Sequence, residues 1–138
     1  MSLYGKADLP GPGARVVIVA RFSTNQQNPL GADDQIRILK EDCERLGWIV
    51  VGVFKDEGKS GRSIKKRTGY LEAMAMAATG DVDVVAVFQL DRLGRDAREL
   101  HDAKNRLEDA NVVIFTHDKG VMGRLEFALY AEMAQIES

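Results

Sequence analysis

The feature that most constrains this chain is an alternation. Short, continuously apolar runs take turns with stretches of helical periodicity. Arg15 to Ala20, Trp48 to Phe54, Val82 to Phe88 and Val112 to Thr116 read as strands, and continuous apolar runs of that length suit strands buried on both faces. Asp33 to Leu46 carries the stripe Ile36, Leu39, Cys43 and Leu46. Leu71 to Ala78 is rich in Ala and Met, and Asp96 to Asp109 turns Ala97, Leu100, Ala103 and Leu107 inward. The alternation predicts an α/β fold, a mostly parallel, doubly wound sheet joined by right-handed crossovers. Asp33 or Asp34 is the expected N-cap of the first helix and Gly47 its stop, while Thr68 is the expected cap of the second and Gly80 its end. Residues 123–138 predict a long last helix. Met122, Leu125, Leu129, Met133 and Ile136 form its stripe, and Phe127, Ala128, Ala131 and Ala134 widen it. A helix apolar most of the way round needs cover on more than one side, so it is expected to pack on a partner subunit.

In open parallel sheets, ligands sit outside the C-terminal strand ends, where the strand order reverses, and strands one and three are the natural pair there. The first run ends in Arg21-Phe22-Ser23-Thr24 and the third in Leu90-Asp91-Arg92-Leu93-Gly94-Arg95. One serine, one acid and three arginines at two strand tips suit a phosphate ester. A guanidinium stays protonated and donates to two oxygens at once. Taken singly, each residue also fits a plainer role. Ser23 could be a turn residue or cap, Asp91 and Arg92 a surface ion pair, and Lys65-Lys66-Arg67 a solvated charge run.

At 138 residues the chain is one domain, expected over residues 14–138 behind a disordered tail at 1–13. The net charge of −2 excludes a strongly basic nucleic-acid binder as a whole-chain property, so any such contact must come from local arginines or from outside the chain. A single cysteine, Cys43, excludes an internal disulfide and reads as a small core residue. His101 and His117 lack ligand spacing, so no metal is expected. The absence of a Walker motif or dinucleotide fingerprint predicts no cofactor. No apolar run approaches the roughly 20 residues of a membrane span, and no leader is evident, so the expectation is a cytoplasmic protein without a membrane partner.

Together these motifs resemble the N-terminal catalytic domain of the resolvase/invertase serine recombinases. Val19-Ala20-Arg21-Phe22-Ser23-Thr24, with Gln26, Gln27 and Gln35 following, is similar to the family's nucleophile motif. Asp56 through Gly61 matches its Asp-x-x-x-Ser-Gly loop, Arg67 the arginine that follows, and Leu90 to Arg95 its Leu-Asp-Arg-Leu-Gly-Arg box. Ala134-Gln135-Ile136-Glu137 resembles part of its long helix. The resemblance implies that Ser23 attacks a DNA phosphodiester to give a 5′-phosphoserine link. It implies that Arg21, Arg92 and Arg95 bind the phosphate with help from Arg67, and that Asp91 assists proton transfer. Gln27, Ser60 and Asp56 would be supporting groups at the DNA phosphate. It also implies DNA and further copies of the chain as partners, a dimer that becomes a tetramer in the active synapse, and neither metal nor small-molecule cofactor. Val19 stands where tyrosine is common, Phe22 replaces valine, and Thr68 stands where many relatives have proline. The chain is expected to stop inside the last helix, with a separate DNA-binding domain outside it. Two other readings remain open at this point: a non-catalytic assembly module, and a flavodoxin-like ligand or receiver domain.

Overall fold

Seven residues, Arg15–Arg21, form the first strand, β1, and its five middle residues are all buried. That is the pattern of a central strand covered on both faces. A computed structural model describes residues 10–21, 31–56, 68–94, 97–123, 127–129 and 132–133. After β1 come α1 (Ala32–Leu46), β2 (Ile49–Asp56), α2 (Thr68–Ala77), β3 (Val84–Val87), a 3-10 turn (Leu90–Arg92), α3 (Ala97–Asp109), β4 (Val113–Thr116) and β5 (Gly120–Val121). The sheet order is β2-β1-β3-β4-β5, and the order reverses between β1 and β3. The first four strands pair in parallel, with Ile18 beside Ala86 and Val84 beside Val113. β5, which hydropathy did not signal, is a two-residue strand that pairs antiparallel to β4 at the edge.

Alternate residues of the strands face two separate cores. Val16, Ile18, Val84, Ala86 and Phe115 meet Leu39, Cys43 and Trp48 on the α1 side. Val17, Val19, Val85 and Val87 meet Tyr70, Ala73 and Met74 of α2, Leu100, Ala103 and Leu107 of α3, and Phe127. Leu39 is wholly buried, so its truncation to alanine removes about 2–5 kcal/mol. β2 forms the outer edge, and Ile49, Val51 and Val53 remain exposed along it.

Several boundaries differ from the sequence expectation. The N-cap of α1 is Gly31, without a side-chain cap; Asp33 and Asp34 lie inside the first turn, where they favour the positive end of the helix dipole. Asp33 is drawn off to Lys55 on β2, at 2.9 Å. Gly47 does end α1, in the left-handed region at φ 78°, where its amide N–H donates to the carbonyls of Cys43 and Glu44. Thr68 is the first residue of α2 rather than its cap. The tail expected to run to Gly13 is tied down from Pro10 onward. Trp48 Nε1 donates to the Pro10 carbonyl at 3.0 Å, and Gly13 N–H to Gly47 O at 2.7 Å. Residues 127–129 and 132–133 are helical, Gly123, the expected first residue, is not, and the remainder of the expected last helix lies outside the described residues. Among the described residues, no helix is long and apolar enough to cross a membrane.

Candidate active site

The tips of β1 and β3 both emerge at the C-terminal edge of the sheet, on either side of the order reversal. Arg21 is the last residue of β1. Its backbone is held by an amide side chain from α1. Arg21 N–H donates to Gln35 Oε1 at 3.3 Å, and Gln35 Nε2 donates to Arg21 O at 3.0 Å. Gln35 is wholly buried, so this pair takes the place of one further rung of sheet at the point where the strand leaves it.

The chain leaving β3 passes through Phe88 and Gln89 into the 3-10 turn, anchored by Leu90 and Leu93 in the core beneath. Gly94 follows because there is no room for a side chain. A β-carbon there would lie 2.9 Å from both Glu99 Cβ and the Leu100 nitrogen, at the start of α3. The turn presents Asp91 to solvent and folds Arg92 inward, to 4% exposure. Arg92 Nη1 donates to Asp91 Oδ1 at 2.9 Å. Arg21 Nη2 donates to the Asp91 main-chain carbonyl. One residue thus joins the arginines of the two strand tips. Arg92 Nε is buried and has no hydrogen-bond partner among the described residues. A buried guanidinium is unfavourable until its donors are met.

Asp56 completes the edge at the end of β2, directly across from Arg21 in the β1–β2 register. Expected to support the phosphate, it has both carboxylate oxygens engaged by the start of α2. Gly69 N–H donates to Oδ1 at 2.7 Å and Tyr70 N–H to Oδ2 at 3.1 Å. It is the cap that Thr68 was expected to supply, reached across thirteen residues of sequence. The fit is close: a β-carbon on Gly69 would come within 3.1 Å of that same Oδ1.

The described residues therefore bring Arg21, Asp91 and Arg92 together, with Asp56 alongside. Ser23, Gln27, Ser60, Arg67 and Arg95 lie outside the described residues. Two buried polar residues of α1 go beyond the sequence reading: Gln35, which entered it only as part of the family motif, and Asp42, which did not enter it. The available signal was positional: with Leu39 they fall at i, i+4 and i+7, so they are polar residues on the apolar face of the helix. His117, considered as a metal ligand and set aside, lies 2.6 Å from Asp42 through Nδ1. Among the described residues, no three His, Cys, Asp or Glu side chains gather as ligands would.

The site is an open, mostly parallel α/β sheet with arginines brought together from both flanks of its switch point, and comparison with known proteins says which family it belongs to. Residues 16–138 match the family model "Resolvase, N terminal domain", and the chain belongs to that family. It is 30% identical over 125 residues to the transposon Tn552 DNA-invertase BinR of Staphylococcus aureus, an alignment covering 86% of this chain and 58% of that protein. It is 33% identical over 123 residues to a resolvase/recombinase of Pseudomonas putida, covering 86% and 62% respectively. The chain thus spans about three-fifths of the length of the curated relatives it matches. Among solved structures it resembles a resolvase family site-specific recombinase from Streptococcus pneumoniae, with a TM-score of 0.73 and 26% identity over 90% of this chain and 87% of that one.

Proposed function

We propose that this chain is the catalytic domain of a serine-type, site-specific DNA recombinase. The observation that carries the reading is the meeting of Arg21 and Arg92 at Asp91, across the switch point of the sheet. Family membership supplies the substrate class, since both curated relatives carry recombinase or invertase names.

In this reading Ser23, two residues beyond Arg21, attacks the phosphorus of one DNA linkage. The serine hydroxyl gives up its proton as the Oγ–P bond forms, the bond from phosphorus to the 3′ oxygen breaks, and a proton is passed to that oxygen, which leaves as a 3′-hydroxyl. In this reading Asp91, the exposed acid at the cluster, assists that proton transfer. The 5′-phosphoserine link retains the energy of the phosphodiester, so a 3′-hydroxyl attacking in reverse reseals a strand without ATP. Negative charge grows on the non-bridging oxygens during attack. At about 4 Å and an effective dielectric of about 20, each guanidinium contact there is worth roughly 4 kcal/mol before desolvation. Arg21 and Arg92 supply two such contacts, with Arg95 and Arg67 as the remaining cations and Gln27 and Ser60 as polar support. Arg67 immediately precedes α2, whose first turn is tied to the tip of β2 by Asp56. Asp56 acts here by fixing that turn.

Function also requires copies of the chain to associate, as a dimer and then as a tetramer around two DNA sites. Leu129 and Met133, four residues apart in helical segments, are 63% and 52% exposed and offer an apolar surface for it.

The test is covalent capture. The full-length protein, incubated with its recombination site and quenched in denaturant, should yield a protein–DNA adduct at the 5′ end, and Ser23→Ala should abolish it with the fold unchanged. An adduct of undiminished yield in the alanine variant overturns the assignment of the nucleophile.

A further inference from the structure

A second polar network lies on the α1 side of the sheet, one strand beyond the arginine cluster. At its centre is Asp42, buried on α1. One carboxylate oxygen accepts a hydrogen bond from Arg45 at 2.7 Å. The other lies 2.6 Å from Nδ1 of His117. A carboxylate only accepts, so Nδ1 carries the proton of this contact.

His117 opens the turn between β4 and β5. That turn is fixed by the pairing of Thr116 with Gly120, and by Lys119 N–H donating to Thr116 Oγ1 at 3.1 Å. The amide N–H of His117 is shared between the carbonyls of Val87 and Phe88, at 3.1 and 3.2 Å. Its ring stacks on Phe88, with centroids 5.2 Å apart and planes 14° from parallel. Phe88 is where the chain leaves β3, two residues ahead of the turn bearing Asp91 and Arg92.

We propose that His117, oriented by Asp42, is a positioning residue for the arginine-bearing turn after β3. The inference rests on the reading of that turn as phosphate-binding. A chain leaving a sheet loses its ladder of backbone hydrogen bonds and needs other anchors. On one side Leu90 and Leu93 supply them in the core against α2 and α3. On the α1 side, Phe88 is met by the imidazole. A half-exposed ring is free to turn unless its nitrogen is held, and Asp42 holds it, itself fixed by Arg45. Gln35 sits seven residues earlier on the same buried face and holds Arg21. One helix therefore sets both strand tips, β1 through an amide and β3 through a carboxylate–imidazole pair.

The test uses the full-length protein and three substitutions. His117→Ala removes both the tie to Asp42 and the stack on Phe88. His117→Phe keeps an aromatic ring on Phe88 and removes the tie. Leu39→Ala lowers stability from the same face of α1 without touching the network. Arginine modification by phenylglyoxal, mapped by peptide mass spectrometry without DNA, reads the position of Arg92 directly. Buried Arg92 should react slowly in the parent. It should react about tenfold faster in His117→Ala and severalfold faster in His117→Phe, the change that loss of one charge-assisted hydrogen bond allows. Exposed Arg37 should not change, and Leu39→Ala should leave Arg92 protected. Adduct formation on a recombination site should slow in step with Arg92 reactivity. Should His117→Ala not fold, His117→Phe decides alone. Protection of Arg92 equal to the parent in the folded variants overturns the proposal. Because the labelling needs no DNA, it gives its answer even if no adduct is ever seen, which is the outcome that sinks the recombinase reading instead.

Discussion

Replacing Gln35 by leucine would remove the amide clamp on Arg21 while keeping most of the side-chain volume. The parent arrangement satisfies one backbone N–H and one backbone carbonyl through a single wholly buried side chain. Leucine removes both of these bonds. Losing the partner of a buried polar group costs about 1–3 kcal/mol, and Arg21 is partly open to solvent, so water recovers a share of this. The expected loss is about 2–4 kcal/mol. For a chain of this size that lowers the melting temperature by on the order of 10 °C. Gln35→Glu should fare no better, because it keeps an acceptor for Arg21 N–H but turns a second acceptor towards the Arg21 carbonyl. Denaturant titration of the three proteins gives the free energies. Adduct yield at a temperature where all are folded shows whether the strand tip has moved. A leucine variant within about 0.5 kcal/mol of the parent, the range of an ordinary surface change, would refute the argument that this clamp holds the tip.

Two further outcomes follow from groups away from the site. At the opposite edge of the sheet, Asp83 accepts from Arg15 N–H at 2.8 Å, Nε at 3.0 Å and Nη2 at 3.2 Å, and these bonds hold its carboxyl below the usual carboxylate range. A carboxyl depressed on folding contributes stability above its unfolded pKa and loses it as pH falls through the folded one. Asp83→Asn should therefore melt below the parent near neutral pH, and the gap should close as the pH is lowered through about 4 towards 2; a gap that persists in acid contradicts the assignment. Burial, and secondarily the charge of Asp42, pushes the Cys43 thiol up to about 11. The native protein should resist thiol reagents at neutral pH and react fully once denatured, and rapid labelling of the native state would contradict this.

The parallel sheet was legible because hydrophobic runs are a direct record of burial. Val16 to Ala20 and Val84 to Val87 could hardly be anything other than central strands, and the reversal between β1 and β3 follows from where such runs must pair. The arginine cluster was legible for a related reason: a charged residue directly after a buried run marks the strand's end, so Arg21 and the Asp91–Arg92 turn fell at the same edge. Bonds that join distant stretches were not legible. Asp56 capping α2, Gln35 clamping Arg21 and Asp42 holding His117 each link residues at least thirteen positions apart. Their partners on one side are often main-chain groups, which carry no signature in sequence. β5 was missed because two residues are too few to display a period.

The capping of α2 by Asp56 has a consequence for how this fold can diversify. Eleven residues of sequence, 57–67, separate β2 from α2, and a single carboxylate joins the two elements directly. Asp56 ties the end of β2 to the first turn of α2 through both of its carboxylate oxygens. The relative placement of β2 and α2 is therefore set by Asp56, and changes between them that spare Ser60 and Arg67 should leave the two elements in register.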